Sequence, residues 1–473
     1  MELKIRNKKF TLPGLGYSLF SFPYWLLVVG CSLIGSESSL AQDSLKVQVL
    51  TLEDCVKMAA TQSTEFLKGR NNVELAGVDV LRSYGQFLPD LNLGAGYNYT
   101  SGKNFYTTSV PTLVDANKTG YYYQLVSSIN IFNGLADKAA LKAALLEKRG
   151  QTMNLHRAIQ QICFDVTQSY LQVILDRKIV VYAQDNLKTS LKREDQLKEL
   201  TDVGRKVKSD LYQQQAQTSS DKLLLINSET KLRTDKLNLF KKLRIADAER
   251  YDLADIALSE EPLGPQYDHE QALIDTALAE RSDLQSSKLG VAIAEENIEK
   301  YRSGYLPKLA LSYGLYSEGG YYYQLYVNDQ YALPPTQSSL GTQLGQLYGL
   351  AGLNATWSIF DKWYTRSNIS SGKIMMDNAQ IDYENLQIEV KTDIKQSLGD
   401  YRSALQQQES ANKGIVAAQS AFEIINGRYN LGSSDFIELV NAQLNLLQAQ
   451  ENKIQATIGL MLQKRVLDFY IGK

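Results

Sequence analysis

The sequence predicts a membrane protein of the α+β class: four β-strands per chain, able to close a barrel only when several chains combine, continued by very long α-helices. Three observations lead there. The chain carries an internal duplication. Two pairs of short segments alternate apolar and polar residues. A long proline-free stretch follows each pair. The duplication is read from order and spacing. Phe87-Leu-Pro-Asp-Leu91 returns as Tyr305-Leu-Pro-Lys-Leu309. Asn130-Ile-Phe-Asn-Gly134 returns as Ser358-Ile-Phe-Asp-Lys362. At the same offset as this second motif, Gly204 returns at Gly432 and Asp210-Leu211 at Glu438-Leu439. A repeat this long sets the architecture. The second copy is longer between its Leu-Pro and Ile-Phe motifs, so the extra length falls in its hairpin loop, where it costs least.

Residues 1–41 read as an export signal. Lys4, Arg6, Lys8 and Lys9 precede an apolar core, Trp25 to Ile34, that is too short to span a bilayer as a helix. Cleavage after Ala41 is one outcome. The other is acylation of Cys31, which ends a lipobox-like Val28-Val-Gly-Cys31. Either takes the chain out of the cytoplasm. Past this segment no apolar run reaches the about 20 residues of a spanning helix, so a membrane crossing must be made by strands. The formal net charge is −2, with both signs interspersed, and no basic stripe offers itself to nucleic acid. Tyrosines number 29 against 13 phenylalanines, a bias that suits surfaces half apolar and half wet. Cys55 and Cys163 are expected to be buried helix residues rather than a disulfide framework.

Residues 42–270 form the first repeat and 271–473 the second. Leu52 to Gln86 has helical spacing (Val56, Ala59, Ala60, Leu67, Val73, Ala76, Val80), and Leu88-Pro89 ends it. A β-hairpin follows over 90–132. In its first strand Leu91, Leu93, Ala95, Tyr97 and Tyr99 share one face, with Asn92, Gly94, Gly96, Asn98 and Thr100 on the other. The return strand is expected from about Tyr121 to Phe132, after a loop containing Gly102, Pro111 and Gly120. The second hairpin, 308–358, repeats the alternation through Leu309, Leu311, Tyr313 and Leu315 and through Leu353, Ala355 and Trp357, around a loop at 317–346. One face suits lipid and the other water, the pattern of a barrel strand, although a soluble antiparallel sheet with one wet face alternates in the same way; the export signal and the tyrosine clusters at Tyr121 to Tyr123 and Tyr321 to Tyr323 favour the membrane. Long helices then occupy 134–243 and 363–470, broken at Gly204 and Gly432, with Ser209 or Asp210 and Ser434 as helix starts. The first helix of each pair is on the order of 100 Å long at the rise of an α-helix.

Four strands cannot seal themselves in hydrocarbon, where each unpaired backbone group costs several kcal/mol. Three chains give a twelve-strand barrel with room for water. Both hairpins leave and re-enter the helices at one level, so the helices project from one side and carry the lumen onward as a tube.

The two Leu-Pro helix ends, the Trp-x-x-Phe at Trp357 to Phe360, and Tyr429-Asn-Leu-Gly432 followed by Glu438-Leu439 and Ala442-Gln443 resemble the TolC-like outer-membrane efflux proteins over about residues 50–470. The resemblance implies a homotrimer in the outer membrane with a periplasmic helical tunnel. It implies docking to a periplasmic adaptor and an inner-membrane pump, and an exit duct rather than an enzyme. It also implies a tip that pinches shut, with an acidic ring, over Tyr429 to Gln443. Glu438 takes the place of the first ring carboxylate and Asn441 that of the second. Ser434 stands where the best-known members have a closing arginine. Gate candidates are therefore Glu438, Asp435, Tyr429, Asp210 and Lys206, with the turns at Gly204 and Gly432 as adaptor contacts. On physical grounds alone Glu438 is equally a helix-start carboxylate favoured by the helix dipole.

No catalytic or cofactor chemistry is expected. His156 and His269 are far apart in sequence, with no metal-ligand spacing, and His156 reads as an exposed helix residue. Gly94-Ala-Gly96 lacks the third glycine of a dinucleotide fingerprint and sits on a strand. Two other readings use the same elements. A channel for secreted polypeptides (type I secretion) shares the fold and differs in its partner. A soluble periplasmic coiled-coil adaptor would carry one helical hairpin rather than two.

Overall fold

A computed structural model describes residues 48–106, 112–256, 267, 269–327, 330–331 and 346–472. The export-signal reading, with Cys31 and Ala41, lies outside the described residues, and so do Pro111 and most of the 317–346 loop. The unit Val47–Lys473 is described below.

Each copy opens with a kinked helix pair: α1 (Leu52–Gln62) with α2 (Thr64–Gly85), and α5 (Glu270–Glu280) with α6 (Ser282–Arg302). The single helix expected from Leu52 to Gln86 is therefore two. Ser63, at φ −60° and ψ 155°, leaves the helical region, and its hydroxyl accepts from the Phe66 amide at 3.2 Å. A serine before a helical run is a start signal even inside a continuous periodicity. Its counterpart in the second copy is Arg281, at φ −63° and ψ 121°.

The hairpins follow. β2 (Asn92–Tyr106) and β3 (Thr112–Asn133) pair antiparallel, β3 pairs with β5 (Lys308–Val327), and β5 pairs with β7 (Tyr348–Thr356). A two-residue spur, β6 (Gln330–Tyr331), lies against the far end of β5. Apolar residues line up across the sheet: Leu93 with Leu125 and Leu315, and Ile129 with Leu311 and Leu353. Polar and small residues do the same on the other face: Ser128 with Ser312 and Gly352, and Asn130 with Ala310 and Asn354. The strands outrun the expectation. Gly102 and Gly120 lie inside β2 and β3 rather than in a loop, and β5 continues past Ser317. A Cβ at Gly120 would sit 2.3 Å from the Asn98 carboxamide on β2 and would push that side chain aside, whereas at Gly320, its partner on β5, it would sit 2.3 Å from the Thr119 carbonyl oxygen, which is backbone. β7 is shorter than expected and ends at Thr356. The helix-side ends of β3, β5 and β7 share one register, since Lys308 pairs with both Asn133 and Thr356, whereas β2 begins at Asn92 opposite Val126, so the first hairpin is stepped along the sheet and the single level expected for both hairpins is not met in register.

Past the sheet come α3 (Ala136–Asp202) and α4 (Lys208–Lys242), then α7 (Tyr364–Asn430) and α8 (Phe436–Ile471). α3 and α7 are 67 residues each, about 100 Å at 1.5 Å per residue. Neither Ser209 nor Asp210 caps α4: it starts at Lys208 behind Val207, with no side-chain cap. α8 starts behind Asp435, whose carboxylate accepts from the Glu438 amide at 2.7 Å.

A core near the helix midpoints joins both copies. Ile162, Val166, Tyr170 and Ile174 of α3 meet Leu239 and Phe240 of α4, Ile454 and Ile458 of α8, and Cys55 and Ala59 of α1. A short parallel pair, β1 (Gln48–Leu50) with β4 (Tyr251–Leu253), closes over it. The Tyr170 hydroxyl donates to the Ala254 carbonyl at 2.6 Å, and Arg177 donates to the Leu253 carbonyl at 2.8 Å. Cys55 is buried and unbridged, its thiol pushed up to about 11 by burial and by the Asp54 charge. Cys163 is only half-buried, a departure from the expectation. His156 is exposed on α3.

Arg281, nearly fully buried at the second kink, holds three helices by charge. It pairs with Asp283 at 2.6 Å and with Asp393 of α7 at 3.3 Å, and Asp283 also takes Arg157 of α3 at 3.3 Å. Burial opposes the Asp283 charge, but the hydrogen bonds and charge of Arg281, then Arg157, outweigh it and hold the carboxyl below its usual range. A carboxyl depressed in the folded state stabilises fully above the unfolded value of about 4 and loses that contribution as pH falls through the folded value. Asp283→Asn is expected to cost about 3 kcal/mol at neutral pH, because it strips a buried guanidinium of its nearest partner. Thermal melts of the detergent-purified protein between pH 7 and pH 3 should show a lower Tm and a flatter acid limb for this variant.

Candidate functional site

The far ends of the long helices carry the residues singled out from the sequence. The two turns are built alike. Gly204 and Gly432 both sit at φ +74°, the left-handed region that favours glycine. Around each, a paired hydrogen-bond motif closes the preceding helix. The Arg205 amide donates to Leu200 at 2.8 Å and Gly204 to Thr201 at 3.0 Å. Ser433 donates to Arg428 at 2.9 Å and Gly432 to Tyr429 at 3.1 Å. The turn residues differ in character: Val203, Val207 and Leu431 are exposed apolar side chains beside exposed Arg205 and Asp435.

Tyr429 is the centre of the tip. It is buried with Leu197 of α3 and with Phe436 and Leu439 of α8, its ring edge-on to Phe436 at 6.0 Å. The Lys206 ammonium, from the first copy's turn, lies 4.0 Å from the centroid of the Tyr429 ring. A cation over an aromatic face at this distance is attractive by about 0.5–1 kcal/mol when exposed and more when desolvated. The structure thus brings together Lys206 and Tyr429, two residues singled out separately in the sequence. A second link lies farther from the turn. Arg193 of α3 donates to the Gln443 side chain, which donates to Asn186 at 2.9 Å. Burial pulls the Arg193 pKa down from its ordinary value. Arg193 and Asn186 were not legible in advance. They lie two turns apart on one helix face, and nothing in their spacing names a partner on α8.

Glu438 and Asp435 are exposed at the start of α8. Ser434 donates to the Glu438 carboxylate, and Asp435 caps the Glu438 amide. Asp210, half-buried near the start of α4, is 3.4 Å from the Ser209 hydroxyl and is not drawn into the Lys206–Tyr429 contact. The position of the family's closing arginine, Ser434, serves the local helix start.

A sheet with one apolar and one polar face, feeding helical hairpins that double back at glycine turns, defines a β-barrel membrane channel extended by a helical tunnel. The comparisons with known proteins agree. Residues 56–243 and 273–473 match the profile of the family described as Outer membrane efflux protein, and the chain belongs to that family. Outer membrane protein TolC of Vibrio cholerae is 23% identical over 421 residues, covering 83% of this chain and 87% of that protein. TolC of Escherichia coli is 22% identical over 459 residues, covering 94% and 85%. Among solved structures, the outer membrane protein VceC from Vibrio cholerae superposes with a TM-score of 0.74 at 14% identity, covering 89% of this chain and 96% of that one. The fold is accordingly a trimeric twelve-stranded barrel in the outer membrane, its helices extending into the periplasm. The soluble-adaptor reading falls with this membership.

An added Cβ at Gly204 or Gly432 would meet nothing within 4 Å, so substitution there is opposed by backbone conformation alone. Gly204→Ala and Gly432→Ala are each expected to cost about 1 kcal/mol, confined to the turn. Hydrogen exchange should show faster exchange of the amides at 199–204 or 427–433 and no change in the central core.

Proposed function

We propose that this protein is the exit duct of a tripartite efflux system. It conducts passively what an inner-membrane pump delivers through a periplasmic adaptor. The observation that carries this reading is the tip, where two helical hairpins of one chain meet in a small apolar cluster and are further tied by the Lys206–Tyr429 and Arg193–Gln443 contacts. Residues 42–270 and 271–473 act as the two structural repeats, each supplying one hairpin to the tip. The turns at Gly204 and Gly432 offer apolar side chains (Val203, Val207, Leu431) beside charges, which suits an adaptor that must seat and leave. Lys206 on Tyr429 and Arg193 on Gln443 hold the tip closed, in the place of the arginine this chain lacks. Glu438 and Asp435, repeated three times about the axis, give the entrance a negative ring that draws cations. The energy of transport comes from the partner pump.

Planar-bilayer conductance of reconstituted trimers tests this. Lys206→Ala combined with Arg193→Ala is expected to raise the open probability or the single-channel conductance several-fold, and Glu438→Ala to lower cation selectivity. Wild-type conductance from the double variant would remove these links from the gate, and an unchanged reversal potential would remove Glu438 from the ring.

A further inference from the structure

The polar face of the sheet carries chemistry that a plain water-filled conduit does not require. Two neighbouring rungs face the lumen by the strand alternation. One is Gly94, Gln124, Tyr316 and Tyr348; the next is Gly96, Tyr122 and Glu318. Tyr316 and Tyr348 stack across the β5–β7 pair, with centroids 5.7 Å apart and planes 24° from parallel. Tyr316 lies back over Gly314, and Tyr122 lies over Gly96. A Cβ at either glycine would come within 2.5 Å or 2.3 Å of the ring. The glycines let these two rings lie flat on the wall. Tyr122 and Tyr348 remain 46% and 49% exposed, so their faces are open to whatever fills the lumen.

Glu318 stands exposed on the same face, cross-strand from Tyr122 and next but one along the strand from Tyr316. It is the only charged residue among 92–98, 120–126, 312–320 and 348–354. The next basic residue along β3, Lys118, is two rungs farther from the helices in register. A lone carboxylate beside three tyrosine rings discriminates by both charge and shape. A small hard cation would want several oxygen ligands and finds one carboxylate. An anion is repelled. A flat or quaternary organic cation satisfies the carboxylate and the ring faces together.

We infer that the lumen carries, once per chain, a binding site for amphipathic organic cations made by Tyr122, Tyr316, Tyr348 and Glu318. It would act as a weak way-station near the outer end of the path. That role rests on the conduit reading, but the binding does not. The same patch explains why bulky aromatics occupy a water-facing wall: they cover glycines and offer faces, and the lumen stays open.

The test uses the full-chain trimer in detergent, with acriflavine, a planar tricyclic cation, followed by fluorescence anisotropy. Fluorescein, a tricyclic anion, is the matched control. Because every protein is measured in the same micelles, partitioning of dye into detergent cancels between variants. Wild type is expected to bind acriflavine saturably and fluorescein not at all. Glu318→Gln should weaken binding about ten-fold, as should Tyr316→Leu with Tyr348→Leu, in line with the loss of one opposed charge or of cation–ring contacts. Tyr122→Phe should keep binding, since the ring and not the hydroxyl is used, whereas Tyr122→Leu should weaken it. Glu318→Gln changes an exposed side chain, and its trimer is checked by size exclusion. Acriflavine binding that is unchanged in these variants, or matched by fluorescein, overturns the site. A protein that binds acriflavine yet never conducts keeps the site and loses the conduit; one that conducts without binding does the reverse.

Discussion

The governing constraint is that backbone amides and carbonyls cannot be left unpaired in hydrocarbon. The sheet of one chain ends in two edges, β2 and β7, and each presents a row of such groups along the membrane span. No folding of this chain alone removes them, because its four long strands are too few to curl shut. Sealing by further copies follows, and the rest is arranged around it. The Leu-Pro motifs stop the incoming helices just before β2 and β5, and the apolar rungs form one continuous outer face.

The duplication repeats geometry while exchanging the chemistry that holds it. The first helix kink is set by the Ser63 hydroxyl on a backbone amide; the second, at the same place in the repeat, by the Arg281 ion pairs. At the tip, Val207 opens α4 without a cap, whereas Asp435 caps α8. Tyr429 has Thr201 as its counterpart, so an aromatic face is available in one hairpin only, and the cation that meets it comes from the other. A three-fold assembly built from two unequal hairpins therefore has two kinds of helical contact around its tunnel rather than six equal ones.

Much of this was legible because its signals are periodic or repeated. The alternation of Leu93 to Tyr99 and of Leu309 to Leu315 fixed which face is apolar, and the offset shared with the Ile-Phe motifs located both glycine turns. The strand lengths were not legible. Gly102 and Gly120 read as loop residues, and the crowding across the strands there, of Asn98 against Gly120 and of the Thr119 carbonyl against Gly320, appears only in the structure. The β1–β4 pair is three residues per strand and depends on Tyr170 and Arg177 of α3, so no local pattern announces it. At the tip, family likeness pointed to Tyr429 and the position of the first turn to Lys206, but neither joined them. Their contact comes from hairpins in different copies of the repeat and depends on how far each turn reaches.

One departure from repeat symmetry is costly and still present. Where the first copy leaves the sheet it uses Gly134 and Leu135 at φ 59° and 71°; the second uses Lys362 and Trp363 at 58° and 66°. Gly134 has no alternative, since a Cβ would lie 2.5 Å from the Ser303 carbonyl oxygen. Lys362 accepts a left-handed conformation that disfavours a side chain by about 1 kcal/mol or more. The turn is held by Asp361, which accepts from the Thr365 amide at 2.7 Å, and by Trp357, which donates to the Tyr305 carbonyl at 3.1 Å. Trp363 stands exposed, edge-on to exposed Phe360 at 6.1 Å, with the Arg366 guanidinium 5.1 Å from its ring. Aromatic rings with a cation alongside are the side chains that settle at a boundary between hydrocarbon and headgroups. The exposed ring has no counterpart in the first copy, where the same left-handed position is held by the exposed Leu135, so the aromatic and cationic group belongs to the second junction alone.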